Sequence, residues 1–344
     1  MAAQLNRGRC PECHVQDSEN QPLSPESRSG DFILGSTDRK VPNPLFFSRS
    51  GLRAGWRLLI WMVICVLLLT AVRACLQVLR PHVSRDLIGD LARLLTVAAI
   101  VGATTVMARI ERRSVWTYGL SDRRWSSHFF SGALVGWLAL TLMLAGLRAA
   151  HHFYFGREYM HGSALLGAAL LNAFSFLFEV ALFEEILFRG YPLYTLADGI
   201  GFWPASLILS LLFAAAHVSN SGEAKVGIVA VAFFGLVLSF SIWRTGSLLW
   251  AIGFHFLWDY SETFIYGVPD SGFVSPQHLL SAKFVGPAWI TGGTVGPEGS
   301  VFIFLVLALV AIIIHFQYPI GRFEFRASET AKGTKDHEGK PIPL

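Results

Sequence analysis

Ionisable side chains inside otherwise apolar stretches are the residues of this sequence best suited to chemistry. They are Glu179, Glu184, Glu185, Arg189, His217, His255, Asp259 and Glu262. At the centre of a lipid bilayer each such group costs roughly 2.5–3.5 kcal/mol. These side chains must therefore face the protein interior and find partners there, which predicts a shared polar site.

Helical spacing separates two neighbouring glutamates. Glu185 and Arg189 are four residues apart and face each other as an ion pair on a helix. Adjacent residues point about 100° apart, so Glu184 faces elsewhere and has no partner on its own helix. This favours Glu184 as a general base. The alternative is that Arg189 pairs with either glutamate and that the cluster only joins helices.

Two further pairs share the four-residue spacing. Phe213 lies on the same helix face as His217, and His255 on the same face as Asp259. Two histidines and two carboxylates can activate water directly, and we expect no cofactor. The alternative is zinc, with Glu184, His217, His255 and Asp259 as ligands. The His-Glu-x-x-His spacing of many zinc peptidases is absent.

Three motifs occur in order on separate apolar stretches: Glu184-Glu185…Arg189, Phe213…His217 and His255…Asp259. In this respect the sequence resembles the CAAX protease and bacteriocin-processing family, which includes the type II prenyl-protein endopeptidases. The resemblance covers roughly 130–320. A loop at 292–299, Gly-Gly-Thr-Val-Gly-Pro-Glu-Gly, also resembles one in bacterial members.

The resemblance implies a glutamate-dependent intramembrane endopeptidase. Glu184 and His217 would activate a water molecule, and His255 and residue 259 would stabilise the oxyanion. Prenyl-protein proteases have Asn where this sequence has Asp259. Since an ionised carboxylate repels an oxyanion, Asp259 must either be protonated or orient His255.

Three other residues of these motifs are expected to support the site rather than react. They are Glu185, Arg189 and Phe213. Two other groups are weak signals for a metal site: Cys10, Cys13 and His14 in the first segment, which resemble half a zinc site, and the loop histidines at 151, 152 and 161.

The elements that must position these residues are membrane-spanning helices. Of the 344 residues, 53% are hydrophobic and only 15% are charged, against about 25% charged in soluble domains. Apolar runs of roughly the length a bilayer requires predict an all-α polytopic bundle of about eight spans. They lie near 58–76, 89–108, 129–149, 163–195, 203–219, 226–243, 247–265 and 301–317. The fourth is too long for one crossing, and we expect a kink near Gly190 and Pro192.

The chain divides into four predicted parts. Residues 1–50 form a polar, disordered tail, 51–128 hold two spanning helices and a basic loop, 129–318 form the protease core, and 319–344 form a second polar tail. Arg and Lys concentrate beside the tails and between spans two and three, so the positive-inside rule places both termini in the cytoplasm. We expect a bacterial cytoplasmic membrane and a cavity open towards the cytoplasm.

Partners follow from the same features. We expect the bilayer itself and a membrane-associated or lipidated peptide or protein as substrate. The net charge of +4 reflects residues that flank apolar runs, so nucleic acid is not an expected partner. Two other classes stay open: a non-catalytic immunity factor or scaffold, and a transporter with a proton relay, although many transporters contain internal repeats and none is evident here.

Overall fold

The computed structural model describes residues 43, 45–48, 51–220 and 225–323. Most of the two predicted polar tails, with Cys10, Cys13 and His14, lies outside the described residues. The helices are α1 (Ala54–Leu79), α2 (Arg85–Ile110), α3 (Trp125–Ala149), α4 (Gly162–Phe174), α5 (Leu182–Arg189), α6 (Tyr191–Ile200), α7 (Phe202–His217), α8 (Lys225–Thr245), α9 (Leu249–Tyr260), α10 (Ala288–Thr291) and α11 (Ile303–Gln317).

Strands contribute little to the described structure. β1 (Phe47–Ser48) pairs antiparallel with β2 (Gly51–Leu52), and β3 (Phe153–Tyr154) pairs antiparallel with β4 (Lys283–Phe284). The predicted all-α polytopic bundle is therefore confirmed. Within the described residues, five helical stretches are long and apolar enough to cross a membrane, whereas α7 and α11 are apolar but shorter.

The long fourth stretch is one helical path with two irregularities. α4 passes into a π-helical segment, Ser175–Ala181, and then into α5. The path breaks at Gly190, where a Cβ atom would lie 2.6 Å from the Ile186 carbonyl oxygen. α6 then begins with Pro192 in its first turn, where proline is tolerated. The predicted kink is confirmed, while the π-helical segment was not predicted.

The connections between helices lie at two ends of the bundle. At one end, which we call the terminal face, are residues 51–53, 111–124, 245–248 and 318–323. Backbone hydrogen bonds join them, from Leu248 to Gly119 and from Arg322 to Trp243. At the opposite end, the distal face, are residues 80–84, 150–161, 218–220 and 266–302, joined by the pairing of β3 with β4.

Close packing of α3 against α9 fixes the helix that carries His255 and Asp259. A Cβ atom at Gly132 would lie 2.1 Å from the Trp250 carbonyl oxygen, and one at Gly136 would lie 2.4 Å from that of Phe254. Small residues at these positions let the two backbones approach directly, as is common between membrane helices.

The two N-terminal helices pack on the rest of the bundle. Glu111, just after α2, accepts a hydrogen bond of 2.6 Å from the Tyr191 hydroxyl of α6. Arg57 of α1 lies 3.4 Å from the Asp198 carboxylate, also in α6. These contacts join residues on the two sides of the domain boundary predicted at residue 129. The boundary itself stays a prediction.

Candidate active site

A polar cavity of about 690 Å³ lies within the bundle and reaches its distal face. Helices α2, α4, α5, α7, α8 and α9 and the connection 266–302 contribute to its wall. The residues of its wall that bear on the argument are Arg93, Glu179, Glu184, Phe213, His217, Asn220, His255, Asp259, Asp270, Phe273 and Glu298. All four predicted catalytic side chains therefore share one cavity.

α5 directs its two adjacent glutamates to different surroundings. The Glu184 side chain lines the cavity and is 20% exposed, and its Oε2 accepts no hydrogen bond from the described residues. Glu185 is fully buried, with its Oε1 2.5 Å from Arg189 Nη1. The predicted ion pair is confirmed, and Arg189 is accordingly not the partner of Glu184.

His255 lies among three carboxylates. Its Nδ1 is 2.9 Å from Glu185 Oε1, and its Nε2 is 3.3 Å from Asp259 Oδ2 and 3.7 Å from Glu184 Oε2. Because carboxylates only accept hydrogen bonds, this arrangement suits a ring that donates from both nitrogens. The contact between Glu185 and His255 was not predicted, since it joins residues 70 positions apart.

The end of α7 fixes the ring of His217. Its Nδ1 is 2.8 Å from the Phe213 carbonyl oxygen. A carbonyl oxygen only accepts, so Nδ1 carries the proton, and in the neutral ring Nε2 is left as an acceptor. The Phe213 ring packs on both sides, with its centroid 4.6 Å from the His217 ring and 4.6 Å from Arg189 Cζ.

The connection 266–302 adds two carboxylates that sequence reasoning did not assign. Oxygen atoms of Asp259, Asp270 and Glu298 lie within 4.8 Å of one another. Glu298 falls in the loop 292–299 singled out by its resemblance, whereas Asp270 carries no motif signal. Burial, followed by the negative charge of Asp259, raises the pKa of both Asp270 and Glu298.

Among the described residues, these three carboxylates are the group whose donor atoms come close enough to share a metal ion. The four predicted zinc ligands do not form such a group there. Three oxygen donors suit Mg²⁺ or Ca²⁺ better than Zn²⁺, which favours nitrogen and sulfur ligands. The metal dependence of the site stays a prediction.

The remaining two acidic residues differ in how they are satisfied. Glu179 Oε2 accepts a hydrogen bond of 2.6 Å from Ser175 Oγ and lies 3.0 Å from Arg93 Nη1. Glu262 is fully buried, and neither carboxylate oxygen has a hydrogen-bond partner in the described part of the chain.

The cavity reaches the distal face of the bundle. Arg93 is near the start of α2, and Asn220 follows the last turn of α7, so both belong to the distal end of the bundle. Its rim includes Phe273, which is 57% exposed. Two predictions are thus incompatible: if both termini are cytoplasmic, the cavity does not open towards the cytoplasm.

Comparison with known proteins gives one match. Residues 166–261 match the family described as "Type II CAAX prenyl endopeptidase Rce1-like". The matched range includes all three motifs, from Glu184 to Asp259, and confirms the predicted resemblance over that range. No curated protein and no solved structure matches the chain.

Proposed function

From the similarity of residues 166–261 to type II CAAX prenyl endopeptidases, we propose that this membrane protein is an intramembrane endopeptidase. Its substrates are membrane-associated or lipid-modified polypeptides. One observation carries the proposal: Glu184 has a carboxylate oxygen without a hydrogen-bond partner among the described residues, in a polar cavity shared with two histidines.

In the proposed reaction, Glu184 removes a proton from a water molecule as the water oxygen attacks the carbonyl carbon of the scissile peptide bond. His217 holds that water through Nε2, which its Phe213 hydrogen bond leaves as an acceptor. When the C–N bond breaks, the proton passes from Glu184 to the leaving nitrogen. The products are a carboxylic acid and an amine, and Glu184 is ionised again.

His255 is the proposed donor to the oxyanion of the tetrahedral intermediate. Its Nε2 is 3.3 Å from Asp259. This distance supports the second of the two roles considered for Asp259, in which it orients His255 and balances its charge. Glu185 orients the His255 ring at Nδ1. Arg189 holds Glu185 in place, and Phe213 holds His217. In this scheme the reaction needs no cofactor, and all of its residues lie in the predicted core, 129–318.

The test is cleavage of a panel of lipidated and unlipidated membrane peptides by the purified protein in liposomes. We expect Glu184→Gln to lose about 10²- to 10⁴-fold in rate, the usual contribution of a general base. Glu179→Gln is the matched control, because Glu179 lines the same cavity but is bonded to Ser175 and Arg93. It should keep most of the activity.

A chelator-treated sample completes the design. Cleavage that survives chelation but is lost in Glu184→Gln supports the metal-free glutamate mechanism. Loss on chelation, with recovery on adding Mg²⁺ or Zn²⁺, would replace it with a metal-dependent one. Unchanged cleavage by Glu184→Gln, or no cleavage of any peptide by the wild type, would contradict the proposal and favour a binding protein.

A further inference from the structure

The distal position of the cavity bears on which substrates can reach it. Two of the helices that form the wall do so from their distal ends: α2 near its start, with Arg93, and α7 at its end, with His217. The connection 266–302 supplies Asp270, Phe273 and Glu298. Among the described residues, those that line the cavity include none of the terminal face.

Basic residues are distributed unevenly among the connections at the two faces. Those at the terminal face are Arg53, Arg57, Arg109, Arg112, Arg113, Arg123, Arg124, Arg244 and Arg322. Those at or near the distal face are Arg73, Arg80, Arg85, Arg93, Arg148, Arg157, Lys225 and Lys283. The contrast is sharpest between two connections: the short segment 111–124 has four arginines, Arg112, Arg113, Arg123 and Arg124, whereas the much longer 266–302 has only Lys283.

Short basic connections stay on the cytoplasmic side of a membrane, and acidic residues have little influence on this rule. The terminal face is therefore the cytoplasmic one. Exposed tryptophans mark a membrane boundary at both faces, since Trp116 and Trp125 at the terminal face are 59% and 58% exposed and Trp289 at the distal face is 57% exposed. The cavity then opens on the opposite, non-cytoplasmic side.

We propose that the substrate is a membrane-anchored polypeptide whose scissile segment has already been translocated, and that it enters the cavity from the non-cytoplasmic side. This inference rests on the proposed function. It excludes the cytoplasmic C-terminus of a soluble, lipidated protein as the substrate, because such a segment meets the bundle at the terminal face.

The sidedness is tested without any substrate. In a background with Cys10, Cys13, Cys65 and Cys75 replaced by serine, Gln277→Cys places a thiol on the exposed distal connection and Ser121→Cys places one on the exposed terminal connection. Spheroplasts of a bacterial expression host are treated with a membrane-impermeant maleimide. We expect Gln277→Cys to react in intact spheroplasts and Ser121→Cys only after permeabilisation. The reverse pattern would overturn the inference.

Cleavage is then measured with sidedness under control. The peptide panel is added outside sealed proteoliposomes that have been sorted by the same labelling into distal-out and terminal-out populations, with detergent-opened liposomes in parallel. We expect the distal-out population alone to cleave, and Glu184→Gln to abolish the signal. Cleavage by the terminal-out population alone would overturn the inference and leave the endopeptidase proposal standing. Failure even in detergent would overturn the proposed function and the substrate assignment, while the labelling would still decide which way the cavity faces.

Discussion

Two buried polar clusters in this bundle are built differently. The terminal cluster centres on Glu111, whose Oε1 accepts hydrogen bonds from Arg57 Nε at 2.8 Å and from the Tyr191 hydroxyl at 2.6 Å. Its Oε2 accepts from Arg57 Nη2 at 2.6 Å and from the Tyr118 hydroxyl at 3.2 Å. Both carboxylate oxygens are satisfied, so this cluster ties α1, α2 and α6 together.

The cavity cluster contains unsatisfied atoms. Oε2 of Glu184, Oε2 of Glu185, Nη2 of Arg189 and both oxygens of Glu262 are buried without hydrogen-bond partners among the described residues. Buried polar groups in native proteins are nearly always bonded, and exceptions concentrate where a protein binds or reacts. A cluster with spare acceptors is prepared to receive a water molecule or a substrate.

The difference separates structural from functional burial within one membrane protein. Burial is alike in the two clusters, since Arg57 is 4% exposed and His255 also 4%. The completeness of the hydrogen bonding differs. Substitutions should therefore act mainly on stability at the terminal cluster and mainly on activity at the cavity.

The largest expected effect on stability is at Glu111. Glu111→Gln should lower the free energy of unfolding in detergent by about 3 kcal/mol, the lower end of the usual cost of breaking a buried ion pair, because it removes the closer of the two carboxylates paired with Arg57 and leaves only Asp198 at 3.4 Å. Cleavage per folded molecule should stay near the wild-type value. A denaturant titration and a cleavage assay on the same preparation measure both. Glu184→Gln is the matched comparison, and an equal loss of stability there would break the distinction between the clusters.

A smaller effect is expected where the bundle positions the cavity. Gly136→Ala should cost about 1–3 kcal/mol, the usual penalty for overpacking, since the new Cβ would lie 2.4 Å from the Phe254 carbonyl oxygen. It should also reduce cleavage, because α9 carries His255. Gly146→Ala on the same helix is the control, as nothing lies within 4 Å of its Cβ position. Equal behaviour of the two variants in thermal unfolding would refute the role assigned to this contact.

The smallest expected effect has the opposite sign. Glu262→Met should raise the free energy of unfolding by about 1 kcal/mol, because it removes a fully buried carboxylate that has no bonded partner in the described residues. Glu111→Met is the corresponding change in the satisfied cluster and should destabilise. The same denaturant titration reports both, and a loss of stability in Glu262→Met would show that Glu262 is a structural group.

The sequence predicted the parts of the site that depend on local spacing. Glu185 with Arg189 and His255 with Asp259 are four residues apart, and helical geometry alone brings each pair together. The break at Gly190 also followed from local residue types. These features need no information about neighbouring helices.

The rest depended on tertiary placement. The contact of Glu185 with His255 requires α5 to face α9, and the approach of Asp270 and Glu298 to Asp259 depends on the path of the connection 266–302. No periodic pattern governs such a connection, so spacing could not place its carboxylates. The predicted cytoplasmic opening of the cavity and the predicted cytoplasmic termini are incompatible for the same reason. Residue spacing predicts the depth of a side chain along its helix, but it does not predict at which end of the bundle the cavity opens.

The π-helical segment Ser175–Ala181 has a consequence for how the length of this chain can change. A π-turn accommodates one residue more than an α-turn, so a single deletion within 175–181 returns the segment to α-helix while the faces of α4 and α5 are kept. A deletion between Leu182 and Glu184 falls in regular α-helix, which has no extra residue to lose, and it turns Glu184 about 100° away from the cavity. Descendants of this sequence can therefore differ in length before α5, while the spacing inside the motif itself is held fixed.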